Sequence, residues 1–486
     1  MAKTAKYTLR VGYVGLSIKP YYSVELRQRE RAIAGLRQLA QELGFAFFPV
    51  ADEISSEEDS RRAANYLREQ QLDFLLIQNS SCSMGEQLLP LVECAPRLGL
   101  WATPDPDYEG EIKIHALVSM SQYASILKRY LRHEEHPYKW FYGHVETPEF
   151  QRRFALTVRA LTAVKNIERA RIGWIGGLSP GFHDMIFDER VLRSRLGVTV
   201  EQHELGELVA RAQQYEKARV GEMARAIRGA AAAVTVSSNE AFERVTRLYM
   251  ALKDIARERD YDALAVQCWT KAQEIYNVVP CMAYSWMGSE DGVAVSCEGD
   301  VPGAISMYLL NLLSDVHGSS TLLDMTALDA QTGAMLMWHC GVSPRHFANE
   351  DGIKWVDHVT LGRKSAENQR YGVAGDVLFA PQKEMSVTYV GDDGSSLLVL
   401  RSSIIEHHQK GYDGTRGWFA EFELNKAPIG LMDLLNTLTV RGHEHHFAVG
   451  FGDVTNELME FAAWKKLRLI EKVPYADYLQ REGVNV

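Results

Sequence analysis

The chain has 486 residues and a mass of 54.8 kDa, more than one hydrophobic core usually supports, so we expect several domains. Hydrophobic residues make up 46% and charged residues 24%, as in folded globular proteins and unlike disordered ones. The formal net charge of -10 argues against unselective binding to nucleic acids or to anionic membranes.

No apolar run approaches the ~18 residues of a membrane-spanning helix, and no apolar signal core precedes the first predicted strand. The six cysteines are scattered and form no Cys-x-x-Cys pair. In a chain of this length that distribution favours reduced thiols over a disulfide framework or a zinc knuckle. The sequence therefore predicts a cytoplasmic protein.

The first part of the chain alternates short apolar runs with amphipathic stretches. Residues 9–15 are a predicted strand, followed by a charged helix at 23–43 that ends at Gly44. Further strands are predicted at 45–50, 74–78 and 98–102, with a helix at 57–70. This alternation predicts a parallel sheet covered by helices on both faces.

A second α/β unit is predicted from about residue 170. Its strands are expected at 170–177, 231–236 and 262–268. The pattern changes after about residue 305, where strands joined by Gly/Asp turns are predicted at 334–340, 384–390, 395–405 and 418–424. The predicted fold class is α/β, with Rossmann-like domains at 1–168 and 169–304 and a β-rich, barrel-like domain at 305–486.

Acidic residues mark the ends of two apolar runs. Glu298 and Asp300 precede a predicted helix at 303–313, and Asp324 follows that helix at the end of a strand-like segment. Acids at strand ends in open α/β sheets lie where ligands usually bind. The alternative is that Glu298 or Asp300 only caps the helix, because acids favour that end.

Histidines supply a second signal. His339 lies among apolar residues, and His443, His445 and His446 form the densest imidazole cluster. If the cluster is a strand, His445 and His446 face opposite ways, whereas a solvated turn is the alternative. Two acids with one or two imidazoles form a mixed O/N donor set that suits Mn²⁺ better than a thiolate zinc site does.

Two weaker signals stand in the α/β part. The turn at 172–177 has the spacing Gly-x-x-Gly-Gly rather than that of a dinucleotide-binding loop, so a tight strand-to-helix turn is the favoured interpretation. The polar loop after the third strand offers Gln78, Asn79 and Ser81 as contacts to a polyhydroxylated ligand. Contact with water alone is the alternative for this loop.

Residues 268–348 and 443–453 together resemble the superfamily of L-fucose and L-arabinose isomerases. Cys297-Glu298-Gly299-Asp300 is similar to the Glu-Asn-Asp segment of fucose isomerases, and Leu323-Asp324-Met325 to their Ala-Asp-Val segment. The segment 445–452 is similar to their Asn-His-Gly-Val-Ile-Ser-Tyr-Gly and to the His-His pair of arabinose isomerases. The family's two N-terminal α/β domains and β-rich C-terminal domain agree with the predicted elements.

The resemblance implies an aldose–ketose isomerase that works through an enediol. Glu298, Asp324 and His446 match the family's Mn²⁺ ligands, with other divalent metals as alternatives, and the two carboxylates double as acid and base. His339 falls where arabinose isomerases have another histidine, and His445 takes the place of an Asn. Both are therefore candidates for an additional ligand or a substrate contact.

The resemblance also implies a homo-oligomer, a hexamer, whose active sites lie at subunit interfaces and whose substrate is a monosaccharide. The family's Trp-containing loop is replaced here by residues 78–83, so a deoxy-hexose, a pentose and an anionically substituted hexose all stay open. The sequence also leaves open which carboxylate acts as the base at which carbon of the sugar. Two other classes remain: a non-catalytic sugar-binding or sensing protein, and a nicotinamide-dependent oxidoreductase.

Overall fold

The computed structural model describes residues 5–132, 135–316, 318, 320–361 and 372–480. The described residues form two compact units, one ending at Lys165 and one starting at Asn166. The predicted domain boundaries at 168/169 and 304/305 stay predictions. Among the described residues no helix is both long and apolar enough to span a membrane.

The first unit contains a parallel sheet with strand order β2-β1-β3-β4-β5. Its strands are β1 (Arg10–Leu16), β2 (Ala46–Pro49), β3 (Phe74–Asn79), β4 (Leu98–Ala102) and β5 (Tyr138–Tyr142). Its helices are α1 (Gln28–Leu43), α2 (Glu57–Glu69), α3 (Gly85–Leu88), α4 (Ala116–Ser125) and α5 (Pro148–Ile167). Every residue of β3 is buried, which explains its continuous apolar run.

Helix α1 ends as predicted but starts later than predicted. Gly44 has a left-handed φ of 72°, and its N–H bonds Ala40 O, as expected of a glycine at a helix C-terminus. Arg27 also has a left-handed φ, of 52°, which separates the preceding turn from the helix. The predicted start at residue 23 is therefore wrong by five residues.

The second unit opens with a four-stranded parallel sheet of order β10-β9-β6-β7. Its part of the chain has strands β6 (Arg171–Ile175), β7 (Thr199–His203), β8 (Ala233–Val234), β9 (Ala263–Val266) and β10 (Ala294–Ser296). The helices are α6 (Glu189–Leu196), α7 (Leu205–Gln213), α8 (Lys217–Gly229), α9 (Asn239–Glu258), α10 (Lys271–Tyr276), α11 (Cys281–Trp286) and α12 (Val301–Leu313). The short β8, within the predicted strand at 231–236, pairs with a strand of the later sheet rather than with this one.

The remainder is a large mixed sheet. Its strands are β11 (Ser320–Asp329), β12 (Ala334–His339), β13 (Lys354–Asp357), β14 (Gly372–Leu378), β15 (Gln382–Gly391), β16 (Ser396–Ile405), β17 (Thr415–Leu424), β18 (Ala427–Pro428), β19 (His446–Phe451) and β20 (Arg468–Leu469). Two helices, α13 (Leu431–Val440) and α14 (Thr455–Lys465), interrupt it.

Six strands of this sheet, β15, β16, β17, β12, β11 and β19, pair antiparallel in that order, and β19 pairs with β15 again. We call this set the strand ring. The predicted parallel sheets and the mixed α/β class are confirmed, while the predicted three-domain layout stays a prediction.

Helix α12 links the parallel sheet to the strand ring. All its residues except Leu312 are buried, which is the pattern of a helix packed on every side. Ser306 Oγ on α12 accepts the backbone N–H of Val390 on β15 at 2.8 Å. The start of α12 is therefore held between two sheets. Residues 297–300, which directly precede the helix, lie between the same two sheets.

Candidate active site

The loop Cys297–Asp300 joins β10 to α12 at the carboxyl edge of the parallel sheet. Glu298 and Gly299 have left-handed φ values of 65° and 80°. A Cβ on Gly299 would lie 2.1 Å from the backbone oxygen of Gly177, and the Ser179 N–H donates to Glu298 O at 2.8 Å. The glycine turn after β6 thus packs against this loop and fixes the backbone of Glu298.

Strand register places Asp324 and His446 directly opposite each other. Asp324 on β11 pairs with His446, the first residue of β19, and on its other side with Trp338 of β12. His339 is the last residue of β12. The ligand atoms of Asp324, His339 and His446 lie within 4.8 Å of one another, so three neighbouring strands deliver side chains to one point.

Three acceptor atoms converge there without a hydrogen-bond partner among the described residues: Glu298 Oε2, Asp324 Oδ1 and His446 Nε2. His446 Nε2 lies 3.5 Å from each of the two carboxylate oxygens. Leaving a buried polar atom unsatisfied costs about 1–3 kcal/mol, and buried charges are normally paired or coordinate a metal. Two carboxylate oxygens and one imidazole nitrogen fit a divalent cation such as Mn²⁺.

The orientation of His446 is set by Asp300, which is fully buried. His446 Nδ1 donates to Asp300 Oδ2 at 2.9 Å. The other carboxylate oxygen accepts the Gly303 N–H at 2.8 Å and the Tyr389 hydroxyl at 2.9 Å. The imidazole proton is therefore on Nδ1 and the lone pair on Nε2 faces the carboxylates, the arrangement usual for a metal-binding histidine.

Asp300 does cap α12, as the alternative in the sequence analysis held, but its second function was missed. The sequence signal for a cap and for a histidine-orienting carboxylate is the same acid before a helix. Burial and the proximity of Asp300 raise the pKa of Tyr389 well above its usual value, so the phenol stays a hydrogen-bond donor to this carboxylate.

His339 is oriented differently from His446. Its Nδ1 accepts the Cys340 backbone N–H at 2.9 Å, so the neutral ring carries its proton on Nε2. That Nε2 is buried and has no hydrogen-bond partner among the described residues. Of the two roles expected for His339, this tautomer favours a hydrogen bond to a substrate oxygen over metal ligation.

His445 lies just before β19. Its backbone N–H and its Nδ1 both bond Asp184 Oδ2, at 3.1 and 2.7 Å, and its ring stacks on Phe182. Its Nε2 is 3.7 Å from Glu298 Oε2. The expectation that His445 and His446 face opposite ways is therefore wrong, because the strand begins only at His446 and both histidines approach Glu298.

Neighbouring carboxylates make His445 a cation at neutral pH. Burial alone would lower its pKa, but the neighbouring carboxylates of Glu298 and Asp184 outweigh this effect and raise the pKa to about 9. Burial would likewise raise the pKa of Asp184, yet the bonds from His445 hold it below its usual value. Asp184 was missed by sequence reasoning, since nothing in the segment 183–185 marks it.

The pKa of the Asp324 carboxylate is raised, whereas that of Asp184 is lowered. Burial raises the pKa of Asp324, although His339 and His446 oppose that shift. A buried carboxylate with a raised pKa holds a proton more readily and suits general acid–base work near neutral pH.

The loop residues Gln78, Asn79 and Ser81 are buried in the first unit. Gln78 accepts from Tyr13 and Ser80, Asn79 accepts from the Ser83 hydroxyl, and the Ser81 hydroxyl donates to the Cys82 carbonyl. These side chains thus have partners within their own unit, and their role as substrate contacts stays a prediction.

Comparison with known proteins identifies relatives for most of the chain, although no family model matches it. It is 27% identical over 427 residues to a sulfoquinovose isomerase of Priestia aryabhattai, covering 86% of this chain and 90% of the relative. A protein of the same name in Priestia megaterium gives the same values. A sulfoquinovose isomerase of Alkalicoccus urumqiensis is 26% identical over 376 residues, covering 76% of this chain and 80% of the relative. The chain is an enzyme, an aldose–ketose isomerase.

Proposed function

We propose that this enzyme is a metal-dependent sulfoquinovose isomerase. The substrate comes from the names of its relatives, which align along most of their own length. Sulfoquinovose is a glucose whose carbon 6 carries a sulfonate. It belongs to the anionically substituted hexoses, one of the three sugar classes that the sequence leaves open.

The observation that carries the metal proposal is the convergence of three buried acceptor atoms without hydrogen bonds, Glu298 Oε2, Asp324 Oδ1 and His446 Nε2. These three residues would hold a divalent cation, Mn²⁺ by donor type. When bound, the cation supplies Lewis acidity that stabilises negative charge on the oxygens of the enediolate.

The protein's own residues supply the proton transfers. One carboxylate of the pair Glu298 and Asp324 removes the proton from the carbon next to the carbonyl, and the pair returns a proton to the neighbouring carbon. General acid–base help of this kind contributes roughly 10²–10⁴-fold.

Two histidines orient the sugar in this proposal. His339 offers the Nε2 proton, which has no acceptor among the described residues, to a reacting oxygen. His445, a cation held by Asp184, offers its Nε2 proton beside Glu298 to a neighbouring hydroxyl. Fixed donors of this kind stabilise a developing charge without reorganising during the reaction.

We further propose a cytoplasmic hexamer whose active sites are completed at subunit interfaces. This proposal rests on the resemblance to fucose and arabinose isomerases. Sedimentation equilibrium tests it, since an active monomer at assay concentration would contradict it.

The function is tested by incubating the enzyme with Mn²⁺ and sulfoquinovose in D₂O and following by NMR the ketose, deuterium at its carbon 1, and deuterium at carbon 2 of the recovered aldose. Glucose, which lacks the sulfonate, and L-fucose are the control sugars, and Glu298→Gln is the matched inactive variant. Turnover of L-fucose without turnover of sulfoquinovose would refute the substrate and keep the isomerase. Full turnover by verified metal-free enzyme would refute the metal dependence.

A further inference from the structure

Four of the six cysteines lie in one region of the second unit, although the sequence scatters them. Cys268 and Cys297 have their sulfurs 3.2 Å apart. Cys281 and Cys340 lie close to each other, with ligand atoms within 4.8 Å. All are free thiols. The pair Cys268 and Cys297 is in direct sulfur–sulfur contact, and Cys297 directly precedes Glu298 of the candidate active site.

The backbone brings this pair together. Strands β9 and β10 run parallel with Ala265 opposite Ser296, so Cys297 and Cys268 follow at the carboxyl ends of neighbouring strands. The Gly299 N–H bonds Val266 O at 3.2 Å, which ties the two strand ends. A disulfide needs an S–S distance of about 2.05 Å, so the sulfurs have to approach by about 1.1 Å in total.

We infer that Cys268 and Cys297 form a site of reversible oxidation by a small peroxide such as hydrogen peroxide. Within this pair Cys268 is 6% exposed and Cys297 is completely buried, so peroxide reaches Cys268 first. Its sulfur attacks one peroxide oxygen, the O–O bond breaks, and water leaves with the thiol proton, which gives a sulfenic acid.

The sulfur of Cys297 then attacks the sulfenic sulfur of Cys268. The S–O bond breaks, and the hydroxyl leaves as a second water with the proton of Cys297. Two thiols and one hydrogen peroxide thus become one disulfide and two waters, the thiols being oxidised by two electrons and the peroxide reduced by two.

The position of Cys297 couples this oxidation to activity, a consequence that rests on the proposed function. Glu298 follows Cys297 directly, and its carbonyl is held by the Ser179 N–H. Pulling Cys297 toward Cys268 displaces the Glu298 carboxylate from its position 3.5 Å from His446 Nε2. Oxidation therefore lowers both Mn²⁺ affinity and turnover.

The test treats metal-free full-length protein with hydrogen peroxide, blocks remaining thiols, and analyses a digest without reduction by mass spectrometry. The expected product joins the Cys268 and Cys297 peptides. Mn²⁺ affinity should fall at least tenfold and return after dithiothreitol. Cys268→Ser should form no such link and keep its affinity, while Cys94→Ser, in the first unit, should behave as wild type.

A link between Cys281 and Cys340, or oxidation of Cys340 with Cys268 and Cys297 still reduced, overturns the assignment of the site. A complete Cys268–Cys297 link with unchanged Mn²⁺ affinity overturns its coupling to Glu298. If Cys268→Ser does not fold, Cys268→Ala replaces it. Because the linked peptide is detected without any sugar, its absence is distinguishable from a failure of the proposed function.

Discussion

Replacing Asp300 by Asn tests whether this residue sets the tautomer of His446. The amide oxygen can still accept from Gly303 and Tyr389, which keeps the helix cap and the phenol bond. The amide NH₂ then faces His446 Nδ1, which donated to the carboxylate. Two donors cannot bond each other, so the imidazole moves its proton to Nε2 and loses the lone pair needed for a metal.

The expected losses of metal affinity and of stability follow from these contacts of Asp300. Loss of a carboxylate that orients a metal-binding histidine typically weakens metal affinity by about 10–100-fold, or about 1.4–2.7 kcal/mol. Asp300→Asn should bind Mn²⁺ more weakly by that amount, with little change in metal-free stability. Asp300→Ala should in addition lose about 1 kcal/mol for the cap and about 1–3 kcal/mol for the buried phenol of Tyr389.

The assay is calorimetric Mn²⁺ titration, with urea unfolding of the metal-free variants. Asp188→Asn is the matched control, because Asp188 caps α6 through the Arg190 N–H and should leave metal affinity unchanged. Wild-type Mn²⁺ affinity in folded Asp300→Asn would refute the tautomer argument.

Three further predictions concern neighbouring side chains. Glu298→Gln should fold normally but lose solvent deuterium uptake into the substrate, and exchange at the wild-type rate would show that another group is the base. His446→Ala should weaken Mn²⁺ binding sharply while His445→Ala keeps it and alters turnover; calorimetry showing the reverse order would exchange their roles. The folded pKa of His445 is raised to about 9 from an unfolded value near 6.5, so its contribution to stability is full below about pH 6.5 and is lost as the pH rises through 9. Asp184→Asn should flatten the fall in stability between these pH values in urea titrations, and an unchanged slope would contradict the pairing.

Much of the fold could be predicted because burial leaves local patterns. The central strands β3 and β4 of the first unit are buried along their whole length and are apolar runs in the sequence, and Gly44 ends α1 where a left-handed residue is needed. A barrel-like domain was expected, but the strand pairing that closes the strand ring could not be predicted from local patterns. The closure depends on pairing between β16 and β17 and between β19 and both β11 and β15, and register between distant strands leaves no local signal.

In the candidate site, too, residues in short motifs could be predicted and contacts between distant parts of the chain could not. Glu298, Asp324 and His446 were predicted from short motifs, and their assignment as ligands stays a prediction that the unsatisfied acceptor atoms support. The partners that orient them were not found. Asp300 is 146 residues from His446, and Asp184 is 261 residues from His445, so only the folded chain reveals these pairs.

The pairing of β11 with β12 shifts register between Met325 and Ala327, one residue beyond Asp324. Up to that point the pairing holds Asp324 opposite Trp338 and His446, and beyond it the hairpin continues to a turn at 330–333. A strand that gains one residue turns its side chains to the other face, but an insertion in this turn lies outside both strands. A short tag or a fluorescent label placed between residues 330 and 333 therefore gives a handle for following metal binding without altering the ligand strands.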